Sequence, residues 1–441
     1  MPVSQDGSDT APPDSIAVVG ASHAGVQLAD RLRLGGYTGE LTLISHEPHL
    51  PYQRPPLSKA WLAGEATEVS VLLRAADHYR DNKIDLITGA RVERVERGRG
   101  WVDVHWSDAG QTTTRRFDRL VLATGARPRR LSLPGADHPD VVVLRDLDDA
   151  RALAARLTAG PLAVVGGGFV GLEVAATARA LGTEVTVVEA GERLLARAVG
   201  ADTAAMLLTA HRAAATDIVL AATPTAIMHD DTGIRAVQLD DGREIPAATV
   251  LLGVGAQART DLAAQLDLEC AGGIVVDEHC LASDGWTLAI GDCTTHRDGA
   301  GGHYRLESVD NAVEQANAAA ATLLAQPCPA RPAPWFWSDQ GAEKLQIAGL
   351  IGEHASTLVR VDPQRPRRRV TLYFTDDALV AAECLNAPAD FVALRSALSR
   401  GHRPAPHELA DTAVPLKKLL TEARNQNTRP GARRSDDPVS R

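Results

Sequence analysis

Two stretches of this chain repeat one design: a short apolar run, a glycine-punctuated turn and a segment with helical periodicity. The first is "SIAVVG" (15–20) followed by "SHAGVQLADRLRLGG", which places Gly20, Ser22 and Gly25 in a G-x-S-x-x-G turn. The second is "GPLAVVGGGFVGLEVAATARALGTEVTVVEA", which places Gly166, Gly168 and Gly171 in a G-x-G-x-x-G turn. In a strand–turn–helix the first glycine allows the tight turn, and the third lets helix and strand approach closely. The second lets the backbone approach a pyrophosphate at the helix start. One such turn is weak evidence. Two in the correct context strongly favour an α/β chain with two Rossmann-like dinucleotide-binding domains. Ser22 replaces the middle glycine of the first turn, which narrows the gap and keeps a phosphate site plausible. The second unit ends in Glu189, about 20 residues past its turn. A carboxylate there can hold the ribose 2′-OH of NAD and repel the 2′-phosphate of NADP.

Two sites suggest one fixed dinucleotide and one diffusible one. "RLVLATGARPR" (119–129) is an apolar strand that breaks at Thr124-Gly125, and "TVLLGVGAQAR" (249–259) repeats its design. Thr124 and Gly125 are counted among the candidate cofactor residues. "WTLAIGDCTT" (286–295) sets Asp292 just beyond a strand, where it either accepts a hydrogen bond from a ribityl hydroxyl or simply closes a turn. A helix beginning at Val309 would turn its N–H groups and partial positive charge toward an anionic ring.

Composition excludes more than it specifies. With 441 residues, two to four domains are expected. A net charge of −10, from 56 acidic and 46 basic residues, argues against nucleic acid or an anionic membrane as the main partner. The five cysteines form no C-x-x-C, so neither a disulfide framework nor a metal site is indicated, and a reducing cytoplasm fits. The polar opening and the lack of a long apolar window argue against a signal peptide or membrane helix. Residues 1–13 and 422–441 read as disordered tails. The basic run "RPRRR" (365–369) reads as a solvated loop. Aromatics are only 4% of the chain, yet "PWFWSDQ" (334–340) holds three in a row. They read either as a strand end packed into a core or as ring surface set aside for a partner.

These residues resemble the flavoprotein ferredoxin reductases of multicomponent oxygenases, the class of the putidaredoxin, rubredoxin and Rieske dioxygenase reductases. The resemblance rests on "VVGASHAG", "LPYQRPPLSKAWL", "LVLATGARPR", "VVGGGFVGLEVAATA", "LAIGDC", "RLESVDNAVEQA" and "PWFWSDQ". It covers roughly residues 16 to 421, and "PYQRPPLSK" with "PWFWSDQ" is specific to this branch. It implies FAD in the first site and NADH in the second. It also implies an FAD domain in two parts (14–137 and 257–327), an NAD domain between them (138–256) and a C-terminal α+β domain (328–421). By motif match, Ala24 lies on the pyrophosphate loop, Val92 and Arg145 line the FAD site, Asp292 reaches the ribityl chain and Val309 meets the flavin pyrimidine end. The resemblance sets Lys59 near flavin N5, facing Glu173 on the NAD-site helix. Without it, a solvated lysine and an exposed helical glutamate would be the plainer readings. Trp337 is implied to pack by the flavin's dimethylbenzene edge, toward the electron acceptor.

Where the resemblance places an acid on the FAD ribose this chain has His46, and Glu47 beside it is expected to serve instead. Arg193 lies close enough to Glu189 to soften selection against NADP. Arg74 matches a docking position, and with Lys417 and Lys418 is expected to form a basic rim for an acidic 2Fe-2S ferredoxin or a rubredoxin. A monomer or weak dimer is expected. A disulfide reductase would need a redox cysteine in 46–80, which holds none. Other readings are a flavoprotein resembling apoptosis-inducing factor and an NADH-dependent flavin oxidase with a different acceptor.

Overall fold

The computed structural model describes residues 12–297, 302–352 and 355–427. The chain divides into two compact units, Met1–Ala330 and Arg331–Arg441, three residues beyond the boundary expected at 328.

The first unit contains two five-stranded parallel sheets that share the order of four strands and differ in the fifth, an edge strand that comes last along the chain in one sheet and first in the other. In one, the strands run in the order Leu288–Ala289, Arg119–Leu122, Ser15–Val19, Glu40–Ile44 and Asp85–Ile87. In the other they run Val141–Val142, Thr249–Leu252, Leu162–Val165, Val185–Val188 and Asp217–Val219. In each, the central strand carries the glycine turn. Parallel strands are covered on both faces, so they read as continuous apolar runs, and both central strands are buried almost throughout. Each sheet also has a three-stranded antiparallel companion, at 91–117 in the first and 224–246 in the second.

The first sheet takes strands from both sides of the second. Residues 288–289 pair with 121–122, so the chain leaves this sheet, builds the other, and returns. The exit and return run side by side. Ala126–Pro128 pairs antiparallel with Ala256–Ala258, joining the ends of "RLVLATGARPR" and "TVLLGVGAQAR". The 141–252 sheet falls inside the 138–256 interval drawn from sequence.

The second unit is a five-stranded antiparallel sheet in the order Trp335–Gln340, Glu343–Gly349, Ala378–Leu385, Arg365–Thr375 and Ser356–Asp362. The helix Pro388–Ser399 covers it, burying Phe391 and Leu394 against Leu372, Phe374 and Leu379. Two expectations are corrected here. "RPRRR" is the first half of the Arg365–Thr375 strand and not a loop. Its arginines reach acids, Arg367 pairing with Glu343 and Arg368 with Asp390, while the apolar half from Val370 anchors the strand in the core. The C-terminal helix Leu416–Asn427 also runs past residue 421. Burial of Leu416 and Leu420 holds it where the polar composition suggested a tail. The rest of that tail and residues 1–11 lie outside the described residues.

Candidate active site

Both glycine turns are shaped by steric necessity. Gly20 has φ +115°, and a Cβ there would lie 2.1 Å from the Ala123 carbonyl oxygen. Gly166 has φ +107°, and its Cβ would lie 2.6 Å from the Gly253 oxygen. At Gly25 and Gly171 a Cβ would strike the oxygen of the first glycine, at 2.0 and 2.5 Å. Gly168 is different. Its Cβ would meet nothing closer than the Gly253 oxygen at 3.7 Å, so the protein's own packing does not demand glycine there. The space suits a ligand that needs the backbone bare. In the first turn, Ser22 is the N-cap of the helix His23–Leu34, but its side chain does not cap that helix. An unspent hydroxyl at a helix start suits an anion. Ala24 sits buried beside the turn, and its Cβ is the nearest atom, at 3.1 Å, to a Cβ placed on Gly291.

Beyond the first sheet's carboxyl end, Arg145, Asp292 and Gly125 come together. An Arg145 amine lies 2.9 Å from Asp292 Oδ2, which leaves Oδ1 free of hydrogen bonds among the described residues. Gly125, at φ +66°, would place a Cβ 3.5 Å from that same arginine. Thr124 donates its hydroxyl to the Arg259 carbonyl at 2.8 Å, tying the exit strand to the return strand. Val309 opens a 15-residue helix that Ser308 caps by accepting from the Asn311 N–H at 3.0 Å. Val92 is half-buried on the companion sheet, opposite Trp106. Burial, and next the Arg54 guanidinium, holds the His23 imidazole down to about 4.

Glu47, expected at the FAD ribose, has both its oxygens engaged inside the protein. One takes a hydrogen bond from Tyr52 and the other from Arg54. Burial works against the charged carboxylate, but Arg54 and Tyr52 outweigh it and its pKa lies below the usual range. Arg54 also donates to the Arg145 carbonyl at 2.6 Å, and Tyr52 accepts from the Leu147 N–H at 2.8 Å. Glu47 thus fastens the 47–54 loop to the crossover that carries Arg145. His46 is exposed.

The Lys59–Glu173 pair forms. Lys59 Nζ lies 2.6 Å from Glu173 Oε2, and Glu173 is buried. The sequence arranges this locally. Pro55 and Pro56 preset φ for the short 3₁₀ turn Pro55–Ser58, and buried Leu57 anchors it, so residues 58 and 59 meet the helix Phe169–Ala180. The plainer reading of Glu173 as an exposed helical glutamate does not hold. In the second turn Glu189 folds back, accepting from the Gly167 N–H at 2.6 Å and the Gly191 N–H at 2.7 Å. Arg193 is spent on the carbonyls of Ala196 and Val199, each at 2.6 Å, and not on Glu189.

In the second unit, Trp335 and Trp337 project from one face of their strand and stack at 5.1 Å. Trp335 packs toward the core, 5.4 Å from Phe391 and with the Arg395 guanidinium 4.9 Å from its ring centre. Trp337 lies on it, partly exposed. Core packing therefore accounts for Trp335 better than for Trp337. Of the residues expected to form a basic rim, Arg74 is paired with buried Asp30 at 2.6 Å. Lys417 is exposed, and Lys418 lies 3.7 Å from Glu422.

Sequence reasoning singled out Lys59 but passed over Tyr52, Arg54 and Ser58 in the same "PYQRPPLSK" run, along with Thr177 and His23. The compactness of that run was the signal available.

Comparison with known proteins agrees with this geometry. The pyridine nucleotide-disulphide oxidoreductase profile matches residues 14–316, and a reductase C-terminal profile matches 335–420. This chain belongs to that oxidoreductase family. The family is FAD-dependent and uses a nicotinamide nucleotide. Rhodocoxin reductase of Rhodococcus erythropolis is 38% identical over 416 residues, covering 94% of this chain and 96% of that protein. Rubredoxin-NAD(+) reductase of Pseudomonas putida is 35% identical over 376 residues, covering 85% and 96%. The solved covalent putidaredoxin reductase–putidaredoxin complex contains a chain with a TM-score of 0.88 and 34% identity, covering 93% of this chain and 99% of that one. All five cysteines of this chain are free thiols, so it matches the family's fold without a disulphide of its own.

Proposed function

We propose that this chain is a ferredoxin–NAD(+) reductase that passes electrons from NADH, through FAD, to a 2Fe-2S ferredoxin or a rubredoxin serving an oxygenase. The observation that carries this reading is the Lys59–Glu173 pair, which links the turn following one nucleotide-binding strand to the helix that opens the other nucleotide site. When bound, FAD supplies the chemistry, accepting a hydride and releasing single electrons. The protein's part is to bind, orient and tune. Gly20, Ser22, Ala24 and Gly25 would receive the FAD pyrophosphate, and Asp292, steadied by Arg145, has one oxygen free for a ribityl hydroxyl. The Val309 helix start offers its dipole to charge developing on the ring. Thr124, Gly125 and Val92 would line that site. Gly166, Gly168 and Gly171 would cradle NADH, with Glu189 at its ribose. Lys59 would stand at the reacting edge, with Glu173 holding its ammonium in place.

Trp337 keeps the role that the resemblance of "PWFWSDQ" implies, beside the flavin edge that faces the electron acceptor, and its partial exposure on Trp335 is compatible with that role. The acidic charge fits a protein without nucleic-acid or anionic-membrane partners, and a monomeric or weakly dimeric cytoplasmic state is part of the same proposal. Among the described residues no helix is long and apolar enough to cross a membrane. Purified protein should be yellow, with near one FAD per chain, and should reduce ferricyanide with NADH. Trp337→Ala should keep that activity and lose most ferredoxin reduction, since a small oxidant reaches flavin without a docking surface. Colourless protein that takes up no flavin would overturn the proposal.

A further inference from the structure

We infer that Ser58 is a positioning residue for hydride transfer, acting through Glu173 on Lys59; this rests on the function proposed above. Ser58 is buried, and its hydroxyl donates to Glu173 Oε2 at 2.5 Å. That is the oxygen on which Lys59 Nζ also lies, at 2.6 Å. The ammonium is in turn 3.4 Å from the Ser58 oxygen, so the three groups close a ring. One turn further along the same helix, Thr177 donates its hydroxyl to the Ser58 carbonyl at 2.9 Å. The helix therefore grips residue 58 twice, by backbone and by side chain, and the prolines before it stiffen the turn from which it acts.

The chemistry of the pair explains why a third group matters. A glutamate held only by a lysine shares that lysine's mobility, since both side chains have several rotatable bonds. A donor on a rigid turn, aimed at the oxygen that also holds the ammonium, fixes the carboxylate and so the position of Nζ. The gain falls on the rate at the reacting edge and not on NADH affinity, because Ser58 makes no hydrogen bond to the Gly166–Gly171 turn among the described residues. A hydrogen bond to a charged group is of a size that makes the expected slowing roughly 10-fold.

The test is a set of variants of the flavin-loaded chain read by stopped-flow reduction with NADH. Ser58→Ala should slow flavin reduction with KM for NADH unchanged, and Ser58→Thr, which keeps a hydroxyl, should recover most of the rate. In a Glu173→Gln background, Ser58→Ala should add no further slowing, and thermal unfolding should show Tm losses smaller in the double variant than the two single losses together. If Ser58→Ala fails to hold flavin, Thr177→Val gives the second reading, through a smaller slowing that again vanishes beside Glu173→Gln. A parental rate in Ser58→Ala, or slowing undiminished in the Glu173→Gln background, overturns the inference. A parental rate in Glu173→Gln alone would instead remove the reading on which it rests.

Discussion

At Gly20 and at Gly166 the backbone makes the same turn, with φ of +115° and +107°, but the residues that follow are not alike. The first turn continues with Ser22 and a half-buried His23, and the second with Gly168 and Phe169. Around the first, polar groups are locked to one another: Glu47 to Tyr52 and Arg54, Arg54 to the Arg145 backbone, and Arg145 to Asp292. Around the second, Glu189 is folded onto two turn amides, and nothing in the protein comes closer than 3.7 Å to a Cβ placed on the middle glycine. The contrast teaches that the two sites are built for different tenures. A braced wall suits a cofactor that stays, and a bare turn with a single ribose acceptor suits a nucleotide that comes and goes.

The largest effect expected of this contrast is at the turns themselves. Gly20→Ala drives a methyl into the Ala123 carbonyl at a φ that side chains rarely adopt, at a cost of about 3 kcal/mol or more. It should yield protein without flavin, seen as loss of visible absorbance. Next are Lys59→Met and Glu173→Gln, which should retain FAD but reduce it on the order of 10²-fold more slowly, the size carried by one preorganised electrostatic group. Stopped-flow absorbance measures this, and parental rates would end the assignment.

Selectivity comes third. Glu189→Ala should erase a roughly 10- to 100-fold preference for NADH over NADPH in kcat/KM. Arg193 is tied to its own loop and should not restore discrimination in either direction. The smallest effect is at His23, which has no titrating counterpart at Phe169. Its pKa in the fold is about 4 against the ordinary 6.5, so the unfolded chain takes up its proton first as pH falls. Its contribution to stability is complete above pH 6.5 and is lost on the way down to about 4. Flavin-free protein should therefore lose Tm across that window, and His23→Gln should flatten the decline.

Much of this was legible in the sequence because it depends on local pattern. Glycine spacing and apolar runs reported both sheets, and the helix expected at Val309 is present. What stayed hidden depends on partners far along the chain. Ser58 meets Glu173 across 115 residues, and nothing local to Ser58 signals that meeting. The pairing of Ala126–Pro128 with Ala256–Ala258 is likewise a tertiary event, although the repeated design of the two segments hinted at it. Charge masked two elements of the second unit. Arginines outside the core concealed the start of the Arg365–Thr375 strand, and polar residues around Leu416 and Leu420 concealed the last helix. Arg74 looked free only because Asp30, its partner, sits in the first Rossmann helix.

The claim that the two turns hold different dinucleotides is tested most directly at Gly168. Gly168→Ala leaves the protein's own packing undisturbed and fills only the space kept for a ligand. Stopped-flow reduction of this variant by increasing NADH should show a full complement of FAD and an unchanged limiting rate. The NADH concentration needed to approach that rate should rise about 10-fold or more. Loss of FAD with an unshifted NADH dependence would contradict the account, and would place the resident cofactor on the second turn.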